Sequence, residues 1–345
     1  TLFPNVPAVP RAFWTVPMAW WLFVGEVMIT STLASLVACV GWVAWSLSLK
    51  GSLQPRASKN APSMRGWLES LALSKTHYAV FSSSGMGRGD IDRKRLVVFI
   101  HGLGGTLEQL TWGTEGGLAQ VLVKANFTVL AIDLYGHGHT DAPDVPLGPE
   151  KFQAQLQALL EHLEVTEPFD LIGFSHGCSV ASVYASKHAS LVKHLVLLSP
   201  FSCYLPLHSW SPVAALMALF VHVFFEGNVS QMRTIYRIVL GLEPQLWKEA
   251  LHDIDMSSMD VLVAVGGLDA DPVMRIYQHA RKISAALPRA RLHVEPGASH
   301  MSWATGSPEK QHSLRSCIIH FLSDSHGVAP CVDRLRTPFL AACSA

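Results

Sequence analysis

FDLIGFSHGCSV, residues 169–180, is the stretch that decides how this chain folds. Its opening run, Phe169 to Phe174, is short, apolar and continuous. That is the character of a strand buried on both faces of a parallel sheet. The residues after it, 176–188, read as a helix. Between the two lies Gly173-Phe174-Ser175-His176-Gly177, a G-x-S-x-G pattern in a strand–turn–helix setting. A sharp turn at Ser175 brings neighbouring backbone too close for a side chain on either flank, hence the glycines. The strain pushes the serine oxygen out above the sheet, where it can act as a nucleophile. The bland alternative is a Ser/Gly turn that merely caps the helix.

Strands of the same kind recur on both sides of this stretch. RLVVFI (95–100) and FTVLAID (127–133) precede it, and VKHLVLL (192–198), VLVAV (261–265) and RLHVE (291–295) follow. Helical patterns lie between them. In 149–164, Phe152, Leu156, Leu159, Leu160 and Leu163 share one face, and 272–286 also reads as a helix. Strand–helix alternation predicts an α/β fold with a mostly parallel, doubly wound sheet. Such sheets hold their chemistry beyond the carboxyl ends of the strands.

Three further loops at strand ends carry suitable residues. His101-Gly102-Leu103-Gly104-Gly105 is glycine-rich, and its backbone N–H groups can face an anion. The Leu103 and His176 amides together would form an oxyanion hole. A phosphate loop is disfavoured there, because neither G-x-G-x-x-G nor G-x-x-x-x-G-K-[ST] occurs. Gly266-Gly267-Leu268-Asp269-Ala270-Asp271-Pro272 offers two acids. Asp271 directly precedes Pro272 and suits a helix N-cap, which leaves Asp269 to orient a histidine. Pro296-Gly297-Ala298-Ser299-His300 supplies that histidine after the last strand. The order Ser175, Asp269, His300 is the order of nucleophile, acid and base for this kind of sheet. His137-Gly138-His139 invites a metal reading, but no nearby Cys, Asp or Glu has ligand spacing, so no metal and no organic cofactor is expected.

These motifs resemble the α/β-hydrolase superfamily over roughly residues 75–324. HGLGG (101–105), the turn Asp133–Asp141, GFSHG, GGLD (266–269) and GASH (297–300) match its pattern in order. Within the superfamily the chain is most similar to the lipase and esterase branch that includes monoacylglycerol lipases. The resemblance implies Ser175 as nucleophile, His300 as base, Asp269 as acid, and Leu103 with His176 as oxyanion donors. Ser175 argues against the dehalogenase and epoxide-hydrolase branches, which carry Asp there. Cys178 departs from the family, which often has a further glycine after G-x-S-x-G. The family also places a helical cap at the insertion about 200–258, which is rich in large apolar groups. Phe201, Trp210, Leu216 and Phe220 are candidates for binding an acyl chain there, or for packing the cap onto the core.

The expected function is cleavage of carboxylic esters, plausibly lipid esters such as monoacylglycerols. A peptidase or thioesterase could use the same triad. The rival is a non-catalytic, membrane-tethered protein that binds a partner or small ligand.

Charge and hydropathy set the surroundings. The chain has 345 residues, of which 15% are charged and 49% hydrophobic, with 26 basic against 26 acidic side chains. Such a composition excludes a disordered or coiled-coil protein, and the balance disfavours a nucleic-acid partner. Six scattered cysteines without a C-x-x-C pair are neither a disulfide framework nor a zinc knuckle. Residues 27–49 carry no formal charge, and as a helix they reach about 34 Å, enough for a hydrocarbon core of about 30 Å. A single membrane helix within about 20–49 is expected, with Trp20, Trp21, Trp42 and Trp45 at or near its boundaries. Lys50, Arg56, Lys59 and Arg65 follow the segment and only Arg11 precedes it, which places the hydrolase domain on the cytoplasmic side. Two N-x-S/T sequons, at Asn126 and Asn228, point the other way. The organisation expected is therefore an N-terminal segment 1–50, a linker 51–74, the domain 75–324 and a tail 325–345.

Overall fold

The computed structural model describes residues 64–69, 75–83, 91–200, 229–241, 243–267 and 276–323. Eight strands form one sheet in the order β1-β2-β4-β3-β5-β6-β7-β8. They are β1 (Met64–Glu69), β2 (Lys75–Phe81), β3 (Leu96–Ile100), β4 (Thr128–Ile132), β5 (Phe169–Phe174), β6 (Val192–Leu198), β7 (Asp260–Gly266) and β8 (Arg291–Glu295). From β4 to β8 across the sheet every pairing is parallel. Only β1 and β2 pair antiparallel, β1 to β2 and β2 to β4.

The six strands read from apolar runs lie where those runs are. Two strands differ from the expectation. β1 falls inside the stretch 51–74 that was expected to be a linker, and β2 opens the domain at residue 75. β1 is an edge strand with one partner, and its sequence MRGWLE mixes charged residues with a glycine. Such a mix offers neither the continuous apolar run nor the strict alternation by which a strand is read from sequence.

Helices cover both faces. On one side lie α1 (Gly117–Lys124), α7 (Ser302–Thr305) and α8 (Pro308–Ser323), on the other α2 (Pro149–His162), α3 (Gly177–Lys187), α5 (Pro244–Asp253) and α6 (Ile276–Ala286); α4 (Val229–Leu240) precedes α5 in the chain. The central strands feed both cores by alternation. In β3, Val98 and Ile100 meet Phe152, Leu156 and Tyr184, whereas Val97 and Phe99 meet Leu118, Trp303 and Phe321. All five β3 residues are buried. Full burial of each such side chain is worth about 1.5–3 kcal/mol, which is why the strand tolerates no polar residue.

One buried cation ties the second layer together. Arg315 of α8 is 2% exposed. Its guanidinium donates to the carbonyls of Trp303 (2.9 Å), Thr114 (2.8 Å) and Trp112 (2.9 Å). Burial pulls its pKa down to about 10, so it stays charged at neutral pH. Gln311, one turn earlier, receives the Thr114 amide at 2.8 Å. Together they hold the 112–114 loop and the segment after residue 300 against α8.

Among the described residues no helix is long and apolar enough to cross a membrane. The segment 20–49, read as a membrane helix, lies outside them, as do the tail from residue 324 and the insertion residues 201–228. Arg315→Met leaves three carbonyls without their donor. It is expected to lower stability by about 3 kcal/mol in urea denaturation. A midpoint unchanged from wild type would remove Arg315 from this account.

Candidate active site

Ser175 stands between the last residue of β5 and the first of α3, with φ +53°. A non-glycine residue in this left-handed region is held there by its surroundings. Its amide donates to Leu198 O at 2.9 Å, and its carbonyl receives Cys178 N–H at 3.0 Å. The flanking glycines answer a packing demand. A Cβ on Gly177 would strike the carbonyls of Ile100 and His101, and one on Gly173 would lie 2.5 Å from Gly177 O. A Cβ on Gly102 would sit 3.0 Å from Ser175 Cβ. The end of β3, the turn at Ser175 and the start of α3 are thus pressed together. Cys178, where the family often has glycine, is fully buried, and its thiol points at Gly173 O 3.0 Å away. Burial raises its pKa well above the ordinary range, so it is an inert packing group.

His300 reaches the serine from the turn after β8. Its Nε2 lies 3.0 Å from Ser175 Oγ. The ring rests against Phe174, with centroids 5.0 Å apart, and Phe174 in turn meets Trp303 at 5.1 Å. The turn itself is closed by Ser302, whose Oγ receives the Ser299 amide at 2.7 Å. Burial pulls the His300 imidazole down to about 4, so the ring is neutral at pH 7 and Nε2 can accept the serine proton. Its Nδ1 is buried and has no hydrogen-bond partner among the described residues. Asp269 and Asp271 lie outside those residues. The chain leading to them does not. Gly267 N–H donates to Glu295 O at 2.8 Å, and Gly266 packs on the carbonyls of Ala298 and Ser299. At Gly266 and Gly267 the chain thus leaves β7 beside the turn that carries His300.

Leu103 lies on the loop after β3 and His176 directly before α3. Neither amide donates to a described residue. The N-terminal end of α3 adds a favourable field for negative charge at the same place. The His176 ring is 5% exposed and packs edge-on against Phe152 at 5.7 Å. Burial first, then the nearby His101, lowers it to about 4. The four residues expected to line an acyl site, Phe201, Trp210, Leu216 and Phe220, lie outside the described residues.

The structure adds residues that the sequence did not single out. Asp133, at the end of β4, collects His77 Nδ1 (2.7 Å), Leu107 N–H (2.8 Å) and His139 N–H (3.1 Å). Burial alone would raise its carboxyl pKa. The His77 bond, the electrostatic interaction with His101 and the two amides overcome that and hold it below the usual value. His101 receives Leu134 N–H on Nε2 at 3.0 Å, and its Nδ1–H donates to Gly102 O at 2.7 Å. Its neutral tautomer is therefore fixed, and burial lowers its pKa. The signal for this hub was the G-H-G turn, where Gly136 and Gly138 both have positive φ (72° and 53°). No group of three or more His, Cys, Asp or Glu suited to a metal ion occurs among the described residues.

Comparison with known proteins agrees with this architecture. A family model described as the alpha/beta hydrolase fold matches residues 95–235. Probable lysophospholipase BODYGUARD 1 of Arabidopsis thaliana is 26% identical over 276 residues, 61% of this chain and 55% of that protein. Pyrrolizixenacetamide deacetylase of Xenorhabdus hominickii is 34% identical over 105 residues, 30% of this chain and 37% of its own. The chain spans about half the length of the first of these relatives and less of the second. Among solved structures, the enol-lactonase from Burkholderia xenovorans LB400 superposes with a TM-score of 0.55 at 17% identity, over 75% of this chain and 100% of that one. The fold is the α/β-hydrolase fold.

Proposed function

We propose that this α/β-hydrolase-fold chain is a serine hydrolase of carboxylic esters, with Ser175 as nucleophile, His300 as general base and Asp269 as the acid behind it. One observation carries the reading. The His300 Nε2 and the Ser175 Oγ, 125 residues apart in sequence, lie 3.0 Å from each other at the carboxyl edge of a parallel sheet. Ser175 Oγ attacks the ester carbonyl while Nε2 takes its proton. The Leu103 and His176 amides receive the developing oxyanion. The alcohol leaves with the proton from His300, and water activated by the same ring then releases the acid.

Lipid esters are the substrate class this reading favours. The apolar insertion (Phe201, Trp210, Leu216, Phe220) suits an acyl chain. The lysophospholipase relatives support the same class. An anchor helix within 20–49 would hold the enzyme next to such substrates, with the domain facing the cytoplasm.

Three outcomes are expected. A fluorophosphonate labels wild-type protein at one residue, and Ser175→Ala abolishes both labelling and hydrolysis of p-nitrophenyl butyrate. A folded wild type that takes no label would favour the binding-protein reading instead. The second outcome concerns pH. Burial alone sets His300 near 4, and a carboxylate on Nδ1 raises an imidazole. The acid limb of kcat/KM in wild type should therefore lie well above 4. In Asp269→Asn it should move down toward about 4 while kcat falls by about 10⁴. Asp271→Asn should leave the limb in place, and identical limbs in wild type and Asp269→Asn would remove Asp269 from the triad. The third outcome concerns topology. Asn126 is exposed between α1 and β4. In a eukaryotic host its mass should be unchanged by peptide N-glycosidase, and a glycan on it would put the domain on the other side.

A further inference from the structure

The oxyanion loop is a tight turn with a soft point. Gly105 N–H donates to Gly102 O at 3.0 Å, and Gly104, third in the turn, has φ +71°. That is the arrangement of a type II turn, whose central peptide, here Leu103–Gly104, can flip at low cost. The Leu103 N–H belongs to the peptide before it, so its place depends on where this turn as a whole is held.

The structure places one side chain there. Gly104 N–H donates to His137 Nε2 at 3.1 Å, and His137 Nδ1 lies 3.0 Å from Tyr135 O. An amide can only donate and a carbonyl can only accept. Nε2 is therefore bare, Nδ1 carries the proton, and the ring is neutral. His137 is 2% exposed and stacks obliquely on His101 with centroids 4.9 Å apart. It cannot swing away. Its own turn is locked on both sides. A Cβ on Gly136 would strike Thr234 of α4, and one on Gly138 would strike the Asp133 carboxylate.

We infer that His137 is a positioning residue for catalysis, whose Nε2 lone pair anchors the turn at Gly104 and thereby keeps in place the loop that carries the Leu103 amide. The inference rests on the serine-hydrolase reading above and adds to it a group that never touches substrate. It also gives the G-H-G turn a task that the sequence pattern left open. Burial lowers the His137 pKa to about 3, which keeps the acceptor available through the physiological range.

The test compares two polar replacements. In His137→Gln the side-chain oxygen reaches the place of Nε2 and can receive Gly104 N–H. In His137→Asn the shorter amide reaches only the place of Nδ1, near Tyr135 O. Both are measured on p-nitrophenyl butyrate and in the rate of labelling by a fluorophosphonate, with His137→Phe as the shape-filling control and thermal melting as the fold check. The expected loss in kcat for His137→Asn and His137→Phe is about 10- to 100-fold, short of the 10²–10³ that deleting an oxyanion donor outright costs. KM should change less than about threefold, since the oxyanion forms only after binding. His137→Gln should recover at least about tenfold of the lost kcat, and the labelling rate should follow the same order. Should His137→Phe fail to fold, the Gln-against-Asn difference still decides. Equal kcat for Gln and Asn in a reactive enzyme, or a loss confined to KM, overturns the His137 assignment and leaves Ser175 and His300 untouched. A wild type that neither hydrolyses the ester nor takes the label overturns both.

Discussion

Close approach between the start of α3 and the ends of β3 and β5 is the constraint on which the site depends. Helix and strands touch backbone to backbone, so residues 173 and 177 have no room for a Cβ, and one at residue 102 would crowd the Ser175 and Phe174 side chains. The same pressure holds Ser175 at φ +53° and lifts its oxygen out of the sheet. The strain at that residue is balanced by two backbone hydrogen bonds and by burial of the surrounding strands. Everything else in the site is arranged around a serine whose position is not adjustable.

The partners are fixed by different means. His300 is held by rings, with Phe174 beneath it and Trp303 beyond, and Arg315 ties the Trp303 carbonyl to α8. The loop after β3 is held by polar contacts. His101, Asp133 and His137 each bond a backbone amide from across the gap between β3 and β4. The histidines of this set are neutral rings, each with one nitrogen accepting from an amide and the other donating to a carbonyl. A charged ring could not accept, so burial, which disfavours the charged form, and the hydrogen-bond pattern agree. Aromatic rings thus hold His300, and neutral imidazoles hold the loop after β3.

How much was legible in the sequence depends on distance along the chain. The six apolar strand runs and the strand–turn–helix at Ser175 are local signals, and each lies where its residues indicate. His300 was legible because it follows the last strand in the expected order, although seventeen histidines compete for attention. β1 was not legible, because MRGWLE offers neither a continuous apolar run nor a strict alternation. The work of His101, Asp133 and His137 was also hidden. Their partners lie 26 to 33 residues away, and no periodicity encodes which ring nitrogen meets which amide. His137 and His139 looked like a pair. In the structure they face different tasks, one on Gly104 and the other, through its amide, on Asp133.

The central claim is that the imidazole at residue 300 makes the hydroxyl at residue 175 reactive. Its most direct measurement is the rate at which a fluorophosphonate adds to Ser175, followed by intact mass, in wild type and in His300→Gln with matched melting temperatures. The account predicts that the rate falls by about 10³-fold or more when the ring is replaced. Equal rates in the two proteins would mean that the 3.0 Å contact does not activate the serine, and would contradict it.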